Sequence, residues 1–129
     1  MPAKKIMVID DEQDILRLIN VALRKYNHDV DVFSEPVKAL GHFQQHHDGY
    51  SLLLVDVRMP GMSGLEFAKH AKRIAPEIKI LLMTAFELNQ YELERDLPFV
   101  KIDDLLKKPF MLSKICEVID KHLVKIKEK

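Results

Sequence analysis

Short runs of consecutive apolar residues alternate along this chain with longer stretches whose apolar positions recur every three or four residues. Ile6-Met7-Val8-Ile9, Leu52-Leu53-Leu54-Val55 and Ile80-Leu81-Leu82-Met83 are continuous, the pattern of strands covered on both faces in a parallel sheet. Val30-Asp31-Val32-Phe33 alternates and is predicted to be an edge strand. Between these runs Ile15-Leu16-Leu18-Ile19-Ala22-Leu23, Val37-Leu40-Phe43 and Leu65-Phe67-Ala68-Ala71 fall at helical spacing. Ser34-Glu35-Pro36 fits a helix start with proline at an early position, and Ser63 and Glu66 have capping-box spacing. A short fifth strand is predicted near Leu105-Leu106. Leu112, Ile115, Cys116, Ile119, Leu123 and Ile126 then mark one face of a last helix whose lysine-rich end suits its dipole.

Strict alternation of strand and helix implies right-handed crossovers and a doubly wound α/β fold. The expectation is a flavodoxin-like (βα)5 architecture, a five-stranded parallel sheet in the order 2-1-3-4-5. Its ligands would sit at the carboxyl ends of the strands, near the switch point between the first and the third. The 129 residues suit one domain spanning 1–129. The chain stops with the last helix, so no output domain is expected.

Composition narrows the partners. Lys+Arg number 20 and so do Asp+Glu, leaving no global basic field for nucleic acid, and no helix-turn-helix pattern is present. The N-terminal apolar run is too short for a signal peptide, and no stretch approaches the roughly 18 apolar residues of a bilayer span. One cysteine, Cys116, cannot form an internal disulfide and is expected to be a buried, inert thiol on the last helix. A cytoplasmic location without membrane contact is the expectation.

The residues after the strands carry the chemistry. Asp10, Asp11 and Glu12 follow the first, Asp56 the third, Thr84 the fourth, and Lys108-Pro109 the fifth, all on one rim of the sheet. Each alone has a local use, as a helix cap, a turn former or a surface lysine. Together the carboxylates would repel one another and raise each other's pKa unless a cation joined them. Oxygen ligands of this kind suit Mg²⁺, with Mn²⁺ a second candidate. Asp56 could then act as a nucleophile toward phosphorus, with Thr84 and Lys108 stabilising the phosphoryl oxygens.

Four segments, "VIDDE" at 8–12, "LLLVDVRMPGMSGLE" at 52–66, "ILLMTA" at 80–85 and "LLKKPF" at 105–110, resemble the receiver domain of two-component response regulators. The chain is most similar to stand-alone, CheY-like members. The resemblance implies that Asp10, Asp11 and Asp56 bind the metal with the backbone carbonyl of Arg58, and that Asp56 is the phosphoacceptor. It further implies that Thr84 and Lys108 contact the phosphoryl group and that the Lys108-Pro109 bond is cis. A sensor histidine kinase or histidine phosphotransfer protein would supply the phosphoryl group. A separate downstream protein would bind the face formed by the fourth helix, fifth strand and fifth helix, with the chain a monomer or a phosphorylation-dependent dimer. Such a chain is a self-catalysed phosphoacceptor rather than a conventional enzyme.

Three departures from the family pattern stand out. Leu105 occupies the place of a customary aromatic switch residue. Lys107 replaces an apolar residue, and "LPFVKI" at 97–102 replaces an Ala-Gly turn, with Pro98 expected to end the fourth helix. Arg58 and Phe86, two residues after Asp56 and Thr84, are bulky and imply a slowly decaying phosphate.

Alternative readings are a phosphorylation-independent docking module and a phosphorelay intermediate. A phosphatase of the haloacid-dehalogenase kind needs a second acid where Arg58 stands, and a flavin module would find its phosphate repelled by "DDEQD". His42, His46 and His47 place two imidazoles at i, i+4 spacing, a geometry able to hold a transition metal but more simply a solvated face. Met59, Met62 and Met83 read as core and loop packing, and "LVKIKEK" as a helix end.

Overall fold

The computed structural model describes residues 4–85, 101–109 and 111–127. Strand β1 (Lys5–Ile9) leads into helix α1 (Gln13–Lys25), followed by β2 (Val30–Phe33), α2 (Pro36–His46), β3 (Tyr50–Asp56), α3 (Gly64–Ile74), β4 (Lys79–Thr84), β5 (Asp104–Lys107) and the last helix, α4 (Leu112–Lys127). A 3-10 turn, His47–Gly49, joins α2 to β3. The helix expected after Thr84, with Phe86 and Pro98, lies outside the described residues.

All five strands are parallel in the order β2-β1-β3-β4-β5. The alternating run is at an edge, as its pattern predicts, with Val32 39% exposed while every residue from Leu52 to Val55 is fully buried. Strand pleating sends successive side chains to opposite faces. Ile6, Val8, Leu52, Leu54, Leu81, Met83 and Leu106 therefore pack against Leu16, Ile19 and Leu23 of α1 and Ile115 and Ile119 of α4. Met7, Ile9, Leu53, Val55, Ile80 and Leu82 pack against Phe43 of α2 and Phe67, Ala68 and Ala71 of α3. Each fully buried leucine or isoleucine contributes about 1.5–3 kcal/mol of burial, and the two layers fix the sheet from both sides.

Local signals support the same elements. Ser63 caps α3, its Oγ accepting from the Glu66 N–H at 3.1 Å, and Pro36 opens α2 at its first turn. Cys116 is buried against α1, and burial pushes its thiol up. Met83 is core, and Met59 and Met62 pack at the edge of the other layer. No helix among the described residues is long and apolar enough to cross a membrane.

Candidate functional site

Pleating also explains why three distant residues meet. Asp10 follows Ile9, Asp56 follows Val55 and Lys108 lies two beyond Leu106, so all three continue the parity of the layer facing α1 and α4. Asp56 is the last residue of β3, and the ladder runs one residue past β1 and β5 to hold Asp10 and Lys108 beside it. The Asp10 N–H donates to the Phe33 carbonyl at 3.2 Å, and the Lys108 N–H to the Thr84 carbonyl at 2.7 Å.

Carboxylate oxygens of Asp10, Asp11 and Asp56 all lie within 4.8 Å of one another. Asp10 is fully buried, Asp56 is 5% exposed, and Asp11 faces solvent. Lys108 reaches over them, with Nζ 2.7 Å from Asp10 Oδ2, 3.0 Å from Glu12 Oε1 and 3.6 Å from Asp56 Oδ1. The Glu12 N–H donates to the other Asp10 oxygen at 2.9 Å. Thr84 is buried at the tip of β4, and Arg58 is exposed two residues beyond Asp56. The Lys108-Pro109 bond is cis.

Electrostatics follow from this packing. Burial, then repulsion from Asp10, pushes the Asp56 carboxyl up to about 7; Asp11 adds to the rise and Lys108 offsets part of it. Burial also raises Asp10, against the hydrogen bonds from Lys108 and the Glu12 N–H. For Lys108, burial would lower the pKa, but hydrogen bonds to Asp10 and Glu12 outweigh it and hold the ammonium charged. Three hard oxygen donors short of positive charge fit a small divalent cation such as Mg²⁺.

The rim thus gathers Asp10, Asp11, Asp56, Thr84 and Lys108. Two participants were not assigned a part from the sequence. Glu12 was visible as the third acid of "DDE", but its pairing with Lys108 was not. Gly64, whose N–H donates to the Val57 carbonyl at 2.8 Å, carried no signal beyond its place at the start of α3. The histidines form no comparable site. His42 and His46 meet as tilted rings with centroids 4.4 Å apart, His47 turns to Phe43, and Asp10, Asp11 and Asp56 form the one group of three or more metal-capable side chains among the described residues.

A family model described as the response regulator receiver domain matches residues 6–120. Among curated proteins, the response regulator receiver protein CpdR of Brucella abortus is 33% identical over 121 residues, covering 94% of this chain and 98% of its own. Sporulation initiation phosphotransferase F of Bacillus subtilis is 28% identical, covering 95% and 96%. Among solved structures, the response regulator TrrA of Thermotoga maritima, in complex with Mg²⁺ and a beryllium fluoride, superposes with a TM-score of 0.77 at 30% identity over 92% of this chain and 97% of that one.

Proposed function

Since this chain belongs to the response regulator receiver family, we propose that it is a signalling switch operated by phosphorylation of Asp56. The observation that carries this reading is the convergence of Asp10, Asp11, Asp56 and Lys108 on one buried rim. An Asp56 oxygen attacks the phosphorus of a phosphohistidine on a partner kinase or phosphotransfer protein. The new P–O bond forms as the P–N bond breaks, and the imidazole nitrogen keeps the electron pair. Mg²⁺, or Mn²⁺ in its place, would be held by Asp10, Asp11, Asp56 and the Arg58 carbonyl, and supplies positive charge for the phosphoryl oxygens.

The chain's own groups do the rest. Strand β3, buried on both faces, holds Asp56 in line. Lys108 and the Thr84 hydroxyl contact the phosphoryl oxygens, and each such contact matters most in a site that excludes water. Arg58 shields the phosphoryl group from water and lengthens its life. The activity is a stoichiometric self-phosphorylation in one receiver domain, 1–129, rather than enzymatic turnover, and the cytoplasm is where kinase and Mg²⁺ would meet it. The modified chain then regulates a separate protein through the surface of its last strand and helices, where Leu105 takes the customary aromatic's place.

Likeness to a sporulation phosphotransferase favours a second reading, in which the phosphoryl group passes onward to another histidine. Intact mass after incubation with acetyl phosphate tests the first step. One adduct that requires Mg²⁺ and is lost in Asp56→Asn supports the switch; no adduct leaves a docking module independent of phosphorylation.

A further inference from the structure

We propose that Glu12 is a positioning residue that holds Lys108 away from the phosphoryl group and so restrains phosphorylation of Asp56. This rests on the reading of Asp56 as the acceptor. Lys108 divides its ammonium between Asp10 at 2.7 Å and Glu12 at 3.0 Å, and stands farther, at 3.6 Å, from Asp56. Asp10 belongs to the group of acids that can share a cation with Asp56, and Glu12 does not. A cation that engages Asp10 therefore takes one partner from Lys108 and leaves it the other.

The placement of Glu12 is specific. It is the N-cap of α1, yet its side chain makes no capping hydrogen bond, although a side-chain acceptor at that position commonly satisfies a helix N–H. Its carboxylate instead crosses to Lys108, with the two side chains lining a cleft of about 360 Å³ together with Ile15, Ala85 and Pro109. Two effects then act in one direction. The carboxylate competes with phosphoryl oxygens for the same ammonium donors, and its negative charge opposes the approach of a phosphoryl dianion. Because the Glu12 side chain is 60% exposed, the restraint is mild and a phosphodonor overcomes it.

The test compares the native chain, Glu12→Gln, Lys108→Ala and the double variant at saturating Mg²⁺, reading both the affinity for beryllofluoride and the rate of labelling by acetyl phosphate. Glu12→Gln is expected to bind beryllofluoride about three- to fivefold more tightly and to label faster by a similar factor. The gain is expected to vanish when Lys108 is already alanine. In the metal-free protein the NMR signal of the Lys108 side chain is expected to shift in Glu12→Gln, a readout that needs no phosphoryl group. An unchanged or weakened affinity in Glu12→Gln, or a gain that persists without Lys108, overturns the inference while leaving Asp56 as acceptor. Failure of the native chain to bind the analogue or accept a phosphoryl group overturns both.

Discussion

Gly64 sits so close beneath the backbone of Asp56 that a Cβ on it would fall 2.9 Å from the Val57 Cα and nearer still to the Asp56 carbonyl oxygen. Atoms that close must move, and the neighbour here is backbone, which yields only with the strand tip. Gly64→Ala is therefore expected to cost about 1–3 kcal/mol in urea unfolding and to slow labelling of Asp56. A variant as stable and as reactive as the native chain would show that the strand tip adapts freely.

Asp56 gives stability a definite pH slope. Its carboxyl rises from an ordinary 3.8 to about 7 in the folded chain, because burial and then Asp10 and Asp11 oppose ionisation more than Lys108 favours it. Between those values the folded state binds more protons than the unfolded, so this group makes stability fall as pH rises through that window. Asp56→Asn removes the buried charge. Without metal and above neutral pH, thermal unfolding is expected to show it about 1–3 kcal/mol more stable than the native chain, with a flatter profile. Lower stability of the variant would mean that the carboxylate is well paired in the resting site.

A divalent cation should reverse that penalty. Mg²⁺ at about a hundred times its dissociation constant is expected to raise native stability by about 2.7 kcal/mol. The increase should be larger on the alkaline side of the Asp56 pKa, where no proton competes for the oxygens. Adding a chelator should abolish it, and Asp10→Asn should diminish it. An increase equal in all variants would place the cation elsewhere.

Much of this was legible in the sequence because it depends on local order. Continuous apolar runs identify β1, β3 and β4, alternation marks β2 as an edge, and the residues one step past each run fall on the same rim whatever the helices do. The short strand β5 was placed by Leu105-Leu106 and runs Asp104–Lys107. What stayed hidden depends on side chains that meet across the fold. Glu12 reaches Lys108 over 96 residues, and its spacing would equally suit a helix cap. The tight approach of Gly64 to Asp56 follows from how α3 leaves the sheet, which no periodicity records.

The last helix is tied to the sheet by a second long-range pair. His122 Nε2 lies 3.1 Å from Asp104 Oδ2, and this contact, with the Leu105 N–H, holds the Asp104 carboxyl below its ordinary value although burial alone would raise it. A lowered carboxyl pKa contributes stability above the unfolded value and loses it as pH falls through the folded one. Asp104→Asn is expected to cost up to about 1 kcal/mol at neutral pH, with the difference from the native chain shrinking in acid. A constant difference at all pH values would assign the loss to packing.

The most direct measurement is to locate the phosphoryl group. After labelling with acetyl phosphate and Mg²⁺, borohydride reduction converts an aspartyl phosphate to homoserine, and peptide mass spectrometry finds the position. Homoserine at position 56 alone is the expected result. Homoserine at position 10 or 11 instead, or at none, would contradict the assignment of Asp56 as the acceptor.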